Sequence, residues 1–271
     1  MRPRTREFLQ QLAVSLSARA GLYPSASTEP ATLRALVKML SPVRAGREPV
    51  RLGPAGDGGY VLPDDLHGIA ACFSPGVSSI SGFELACAER GMQVFLADRS
   101  VDRPPDSHPL FHFTRKHVGA TTDAGTMTMD AWVERSLPGS RADLLLQMDI
   151  EGAEYETLLA TSDDLLRRFR IVLVEFHLLD HLWSKPFFRV ASAAFFKLLQ
   201  THACVHIHPN NCCGSLKRGG MEIPRVAEFT FLRRDRVTGA GHATEFPHPL
   251  DADNEPHRAP LPLPPVWIGG E

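Results

Sequence analysis

The sequence predicts an α/β fold, a mostly parallel sheet with helices on both faces, and three observations carry that expectation. The apolar runs Leu144 to Met148 and Ile171 to Val174 are too continuous for strands with one wet face, and they suit strands buried on both sides. Stretches with apolar residues at helical spacing lie between such runs. The runs also stop on polar groups, Asp149 after the first and Glu175 and His177 at the second. Ligands of open parallel sheets bind outside these carboxyl ends.

In chain order, residues 5 to 21 and Thr32 to Leu40 show helical spacing, separated by a loop from Pro24 to Pro30. Arg51 to Leu62 follows, with Gly53, Gly56, Gly58 and Gly59 around Asp57 before a strand-like Tyr60-Val61-Leu62. This reads either as a hairpin turn or as a ligand loop, because glycine permits both positive φ and close approach of a ligand to the backbone. Ile69 to Phe73 is a short strand, and a loop, Ser74 to Ser81, leads into a helix from Gly82 to Arg90. Strand, glycine-bearing loop and helix together offer backbone N–H groups to a carboxylate or phosphate. Gln93 to Asp98 is a second strand closing on an acid. Asp98 lies about 20 residues after the loop, the offset at which a carboxylate meets ribose hydroxyls in nucleoside-binding folds. The bland alternative is an acid that ends a buried strand by chance.

Phe111 to Val118 reads as a third strand and Met127 to Ser136 as a helix opened by Thr126 or Thr128. After the central run Leu144 to Tyr155, a helix continues over Tyr155 to Leu159, with Glu151 at its start in a capping role. Arg170 to His177 is the most hydrophobic strand, Pro186 to Gln200 a helix, Cys204 to His208 a strand, and Val226 to Leu232, bearing Glu228, the last strand. From Phe246 the chain is Pro-rich and reads as an extended tail anchored by Trp267. The predicted organisation is an N-terminal helical cap over 1–48, one catalytic domain over 49–236, and a C-terminal tail or lid over 237–271.

Composition bounds the function. The 271 residues are 43% hydrophobic, enough for one sizeable core. Lys and Arg total 29 against 31 Asp and Glu, a net charge of −2, so no global field recruits nucleic acid or anionic lipid. The five cysteines are odd in number and lack metal-type spacing, which suggests reduced thiols in a cytosol. Neither a signal-peptide core nor a membrane-length apolar run stands out. The expectation is therefore a cytoplasmic protein with a small-molecule substrate, no nucleic-acid or membrane partner, and a homodimer as one possible assembly.

Several of these segments together resemble FkbM-like S-adenosylmethionine-dependent methyltransferases: Gly56 to Tyr60, Phe73 to Val77, Asp98, Met148 to Tyr155 and His206 to Asn211. The resemblance covers roughly residues 50 to 232, and Asp149-Ile150-Glu151-Gly152-Ala153-Glu154 is its most specific block. It implies a Rossmann-like class I methyltransferase fold, a seven-stranded sheet with an antiparallel last strand, and O-methylation of a small molecule such as a secondary metabolite or sugar-like compound. By that resemblance Gly76 lies under the methionine part of S-adenosylmethionine, Asp98 meets its ribose and Asp149 stands beside the transferred methyl. Ser74, Gly58 and Gly59 complete the expected cofactor set. The first loop departs from the usual pattern, offering Ser74 and Gly76 with Pro75 between them where such enzymes carry an acid and further glycines.

Methyl transfer to oxygen needs a positioned hydroxyl and removal of its proton. His177 or His208 could act as the base beside Asp149, or a divalent cation such as Mg or Mn could lower the hydroxyl's pKa. Glu175 and His177 are two apart on a strand and share a face. With Asp149, His208 and Glu228 on neighbouring strand ends they form a candidate metal set. Buried His and Glu that merely satisfy one another are the competing reading. The rival functions are a nucleotide-dependent oxidoreductase, weakened by the missing G-x-G-x-x-G, and a non-catalytic ligand-binding relative.

Overall fold

Seven strands form the central sheet: β1 (Ala71–Pro75), β2 (Gln93–Ala97), β3 (Phe111–Thr114), β4 (Leu144–Met148), β5 (Phe169–Phe176), β6 (His202–Pro209) and β7 (Ala227–Arg233). Their spatial order is β6-β7-β5-β4-β1-β2-β3. β1 to β5 pair in parallel, whereas β7 runs antiparallel to both β5 and β6. The expected α/β class and antiparallel last strand are both present. The computed structural model describes Val14, Ser17, 24–77 and 79–269. Apart from Val14 and Ser17, the helix expected over 5–21 lies outside these residues, as does Ser78.

Strand side chains alternate between faces, so β4 feeds two separate cores. Leu144, Leu146 and Met148 pack with Trp132, Phe176 and Phe195, while Leu145 packs on the other face with Tyr60 and Phe83. Each such large apolar side chain contributes about 2–3 kcal/mol by leaving water. The first face is covered by α1 (Pro30–Met39), α3 (Met129–Ser136), α4 (Glu154–Ala160), α5 (Asp163–Arg168) and α6 (Lys185–Thr201). The second is covered by α2 (Gly82–Glu89) and a hairpin of Pro49–Leu52 with Tyr60–Pro63.

The helix starts follow local chemistry. Thr128 caps α3 by accepting from the Ala131 N–H at 3.3 Å, and Ser162 caps α5 from Leu165 at 3.2 Å. Acids in the first turn of α5 and arginines in its last suit the helix dipole. The expected third strand is divided: β3 ends at Thr114, and His117–Val118 pairs instead with Thr126–Met127. The glycine-rich stretch at 53–59 is a hairpin connection, held because the Arg51 guanidinium donates to Pro54 O at 2.8 Å and Gly56 O at 2.7 Å.

The two ends of the sheet differ in charge. At the amino end Arg170, Arg233 and Arg236 pair with Asp143 and Asp65 at 2.6–2.8 Å. The carboxyl end gathers acids and imidazoles. The C-terminal segment runs back over the molecule and seats Trp267 against Phe229, with ring centroids 5.8 Å apart, while its Nε1 donates to Glu222 O at 3.2 Å. No helix among the described residues is long and apolar enough to cross a membrane.

Candidate active site

The turn after β4 builds the site. Asp149 leaves the strand, Glu151 and Gly152 take positive φ of 55° and 106°, and α4 starts at Glu154. Glu154, rather than Glu151, holds this turn: its fully buried Oε1 accepts from Gly152 N at 2.9 Å and Ile150 N at 3.3 Å. The capping role expected of Glu151 is thereby corrected. That side chain is 86% exposed and reaches toward His177 instead.

β1 and β4 are neighbours at the point where the strand order turns back, with β2 on one side and β5 on the other. Gly76 ends β1 at φ 101°, and a Cβ there would collide with the Asp149 carbonyl. Only glycine lets these two strand ends meet so closely. Gly58 of the hairpin loop, Gly76 and Asp149 line one cleft together with Tyr60, Val77 and Gln147. Ser74 lies beneath it: its hydroxyl donates to Gln147 Oε1 at 2.7 Å and also contacts Glu84, and Gln147 Nε2 donates to the Tyr60 hydroxyl at 2.9 Å. Burial raises the pKa of Glu84, and the Ser74 hydroxyl acts against that. Gly59 is spent on the turn, packed under Arg51 and the Pro54 carbonyl. Asp98 stands half-buried at the end of the neighbouring β2 and accepts from Ser100 N at 2.6 Å.

Beside the cleft His177 is ringed by four carboxylates. Its Nδ1 meets Glu154 Oε1 at 3.1 Å, and its Nε2 faces Glu151 Oε2 at 3.4 Å, Glu175 Oε1 at 3.7 Å and Asp149 Oδ1 at 3.9 Å. The Tyr155 hydroxyl donates to the His177 carbonyl at 2.8 Å and fixes the strand end. Burial and the nearby Glu175 push Asp149 up to about 8, and burial with Glu228 does the same to Glu175. Burial opposes protonation of His177, but its hydrogen bond to Glu154 and the surrounding acids push it up to about 9.

The other expected site residues go elsewhere. His208 and Glu228 face each other across β6 and β7, and Glu228 faces Glu175 across β7 and β5. However, His208 turns to the C-terminal segment, with Nδ1 3.6 Å from Asp251 and Nε2 3.1 Å from Ala252 O. Glu228 accepts from Asn254 Nδ2 at 2.8 Å and is raised to about 7 by burial. His206 also meets Asp251, at 2.8 Å. Asn210 donates to Glu175 at 3.1 Å, and Asn211 binds the backbone of Glu255 in both directions. The structure also pairs Cys212 with Cys213 in a vicinal disulfide, against the expectation of free thiols there; Cys72, Cys87 and Cys204 are free and buried.

Gln147 had a readable signal, a polar residue inside an apolar strand. Asp251 and Asn254 had none, because their roles depend on where a Pro-rich tail comes to rest. The Methyltransferase FkbM domain model matches residues 85–194, a span running from α2 into α6 and containing Asp98, Asp149, Glu154 and His177. Over those residues the chain is similar to FkbM methyltransferase domains. No curated protein sequence matches it.

Proposed function

We propose that the protein is a class I, S-adenosylmethionine-dependent O-methyltransferase acting on a hydroxyl of a small, secondary-metabolite or sugar-like molecule. The observation that carries this reading is the meeting of Gly76 and Asp149 at the strand-order reversal of a seven-stranded sheet, within a chain matched by the FkbM methyltransferase model. Nucleoside ligands of doubly wound sheets bind at such a reversal. The strand order and single antiparallel strand support the class I assignment.

In this reading the cofactor lies in the cleft between the ends of β1 and β4. Gly76 and Gly58 line the cleft with Asp149 without adding side chains, and Asp98 offers a carboxylate just after the adjoining β2. Bound S-adenosylmethionine supplies an electrophilic methyl group: the O–CH3 bond forms as the S–CH3 bond breaks, with the electron pair staying on sulfur. Asp149 takes the hydroxyl proton in this reading. A carboxyl pushed up to about 8 is a stronger base than an ordinary one, closer in proton affinity to the group it must deprotonate. His177, oriented by Glu154, holds its Nε2 toward Asp149. His208 falls outside this set because the C-terminal segment occupies both of its nitrogens.

Calorimetric titration with S-adenosylhomocysteine tests the reading, with one site per chain expected. Asp149→Asn should keep the fold and lose methyl transfer by about 100-fold or more, the usual range for a positioned base. Absence of S-adenosylhomocysteine binding would sink the proposal.

A further inference from the structure

We propose that Asp149, Glu151 and His177 bind a single divalent cation, with Mn²⁺ the ion that best suits two carboxylates and one imidazole. One ligand atom from each residue lies within 4.8 Å of the other two. His177 Nε2 is 3.4 Å from Glu151 Oε2 and 3.9 Å from Asp149 Oδ1. Two ligands at right angles, each about 2.1 Å from an ion, stand ~3 Å apart. Closing by less than an ångström would bring His177 Nε2 to that separation from both carboxylates.

Independent observations indicate that a cation belongs there. Asp149 Oδ1 is buried and has no hydrogen-bond partner. Glu154 is fully buried, and it grips His177 Nδ1 with one oxygen while the other has no partner. A carboxylate on Nδ1 is the device that turns the Nε2 lone pair of a histidine toward a metal. Asp149, Glu151, Glu154, Glu175 and Glu228 have no Lys or Arg ion pair among the described residues. Glu154, Glu175 and Glu228 are buried in spite of that, and unpaired buried charge costs several kcal/mol per ion. The competing account is that a protonated His177 serves as the cation by itself.

This ligand set differs from the one expected on strand-end geometry alone, since it uses the exposed Glu151 and leaves His208 and Glu228 to the C-terminal segment. Its use in catalysis rests on the methyl-transfer reading, because a divalent ion lowers the pKa of a hydroxyl held against it. Its existence does not.

The test titrates the full chain with Mn²⁺, without S-adenosylmethionine, following free Mn²⁺ by electron paramagnetic resonance and heat by calorimetry. One Mn²⁺ per chain is expected. Glu151→Gln should weaken binding at least tenfold with little cost to folding, because that side chain is 86% exposed, and His177→Gln should weaken it as much. Glu156→Gln, an exposed acid on the following helix α4, should change nothing. No binding at millimolar Mn²⁺, or binding that Glu151→Gln leaves unaltered, overturns the site in favour of imidazolium. A parallel S-adenosylhomocysteine titration reports on methyl transfer separately, so either idea can fail without the other.

Discussion

Gly76 carries the tightest demand that any one residue places on the site. Its φ of 101° is a region side chains avoid, and the Asp149 carbonyl fills the space a Cβ would need. Gly76→Ala combines overlap with backbone strain, costs of about 1–3 kcal/mol each. The urea midpoint should fall accordingly, and S-adenosylhomocysteine affinity should fall with it; an unchanged midpoint would show that the strand ends need not meet this closely. Gly76 and Asp149 were both legible in the sequence because a glycine after a strand and an acid ending an apolar run are local signals. Glu154 was not. It lies three residues beyond Glu151, with the same chemistry, and only the reversal of the chain through the positive φ of Glu151 and Gly152 decides which acid is buried and which is left outside.

At the scale of elements, the C-terminal segment is tied to the sheet by polar contacts that no pattern in the sequence announces. Asp251 is the centre of this attachment, touching His206 at 2.8 Å and His208 at 3.6 Å and accepting from the His248 N–H at 2.8 Å. Burial alone would raise its pKa, but the two imidazoles hold it well below the usual carboxylate range. Asn254 extends the attachment by bridging Glu228 and Asp57, and Arg51 adds a hydrogen bond to Leu250 O at 3.3 Å. Asp251→Asn removes the charge that both imidazoles answer, a loss of about 2 kcal/mol for hydrogen bonds to a charged group. Hydrogen exchange over 246–258 should quicken while β1 to β5 stay protected. If exchange in that segment is unaltered, its apolar anchor at Trp267 is sufficient to hold it. The sheet strands were readable because their apolar runs are continuous. The resting place of the segment was not, since it is set by partners about 45 residues away in sequence.

Across the whole molecule the sheet separates its charges, with guanidinium–carboxylate pairs at the amino end and acids with imidazoles at the carboxyl end. His202 opens β6 at the arginine-rich end, fully buried, with Nε2 2.8 Å from the Phe169 carbonyl. Burial pushes its pKa down to about 4, the Phe169 carbonyl acts against that, and Arg233 adds to it. The sign of the effect on stability follows directly. A histidine whose folded pKa lies below its ordinary value of about 6.5 takes up a proton more readily when the chain is unfolded. Its contribution is therefore fully present above pH of about 6.5 and is lost as the pH falls toward 4, to a total of about 3 kcal/mol at 1.36 kcal/mol per unit. Other buried groups titrate across the same range, so the informative quantity is the difference between the wild type and His202→Gln, which keeps a donor for the Phe169 carbonyl and cannot be protonated. Urea unfolding at pH 7.5 and pH 4.5 should show the wild type losing about 2–3 kcal/mol more than the variant over that interval. Equal losses in the two proteins would mean that His202 takes up a proton as readily in the folded chain as in the unfolded one, and that the arginine-rich end of the sheet tolerates a further positive charge.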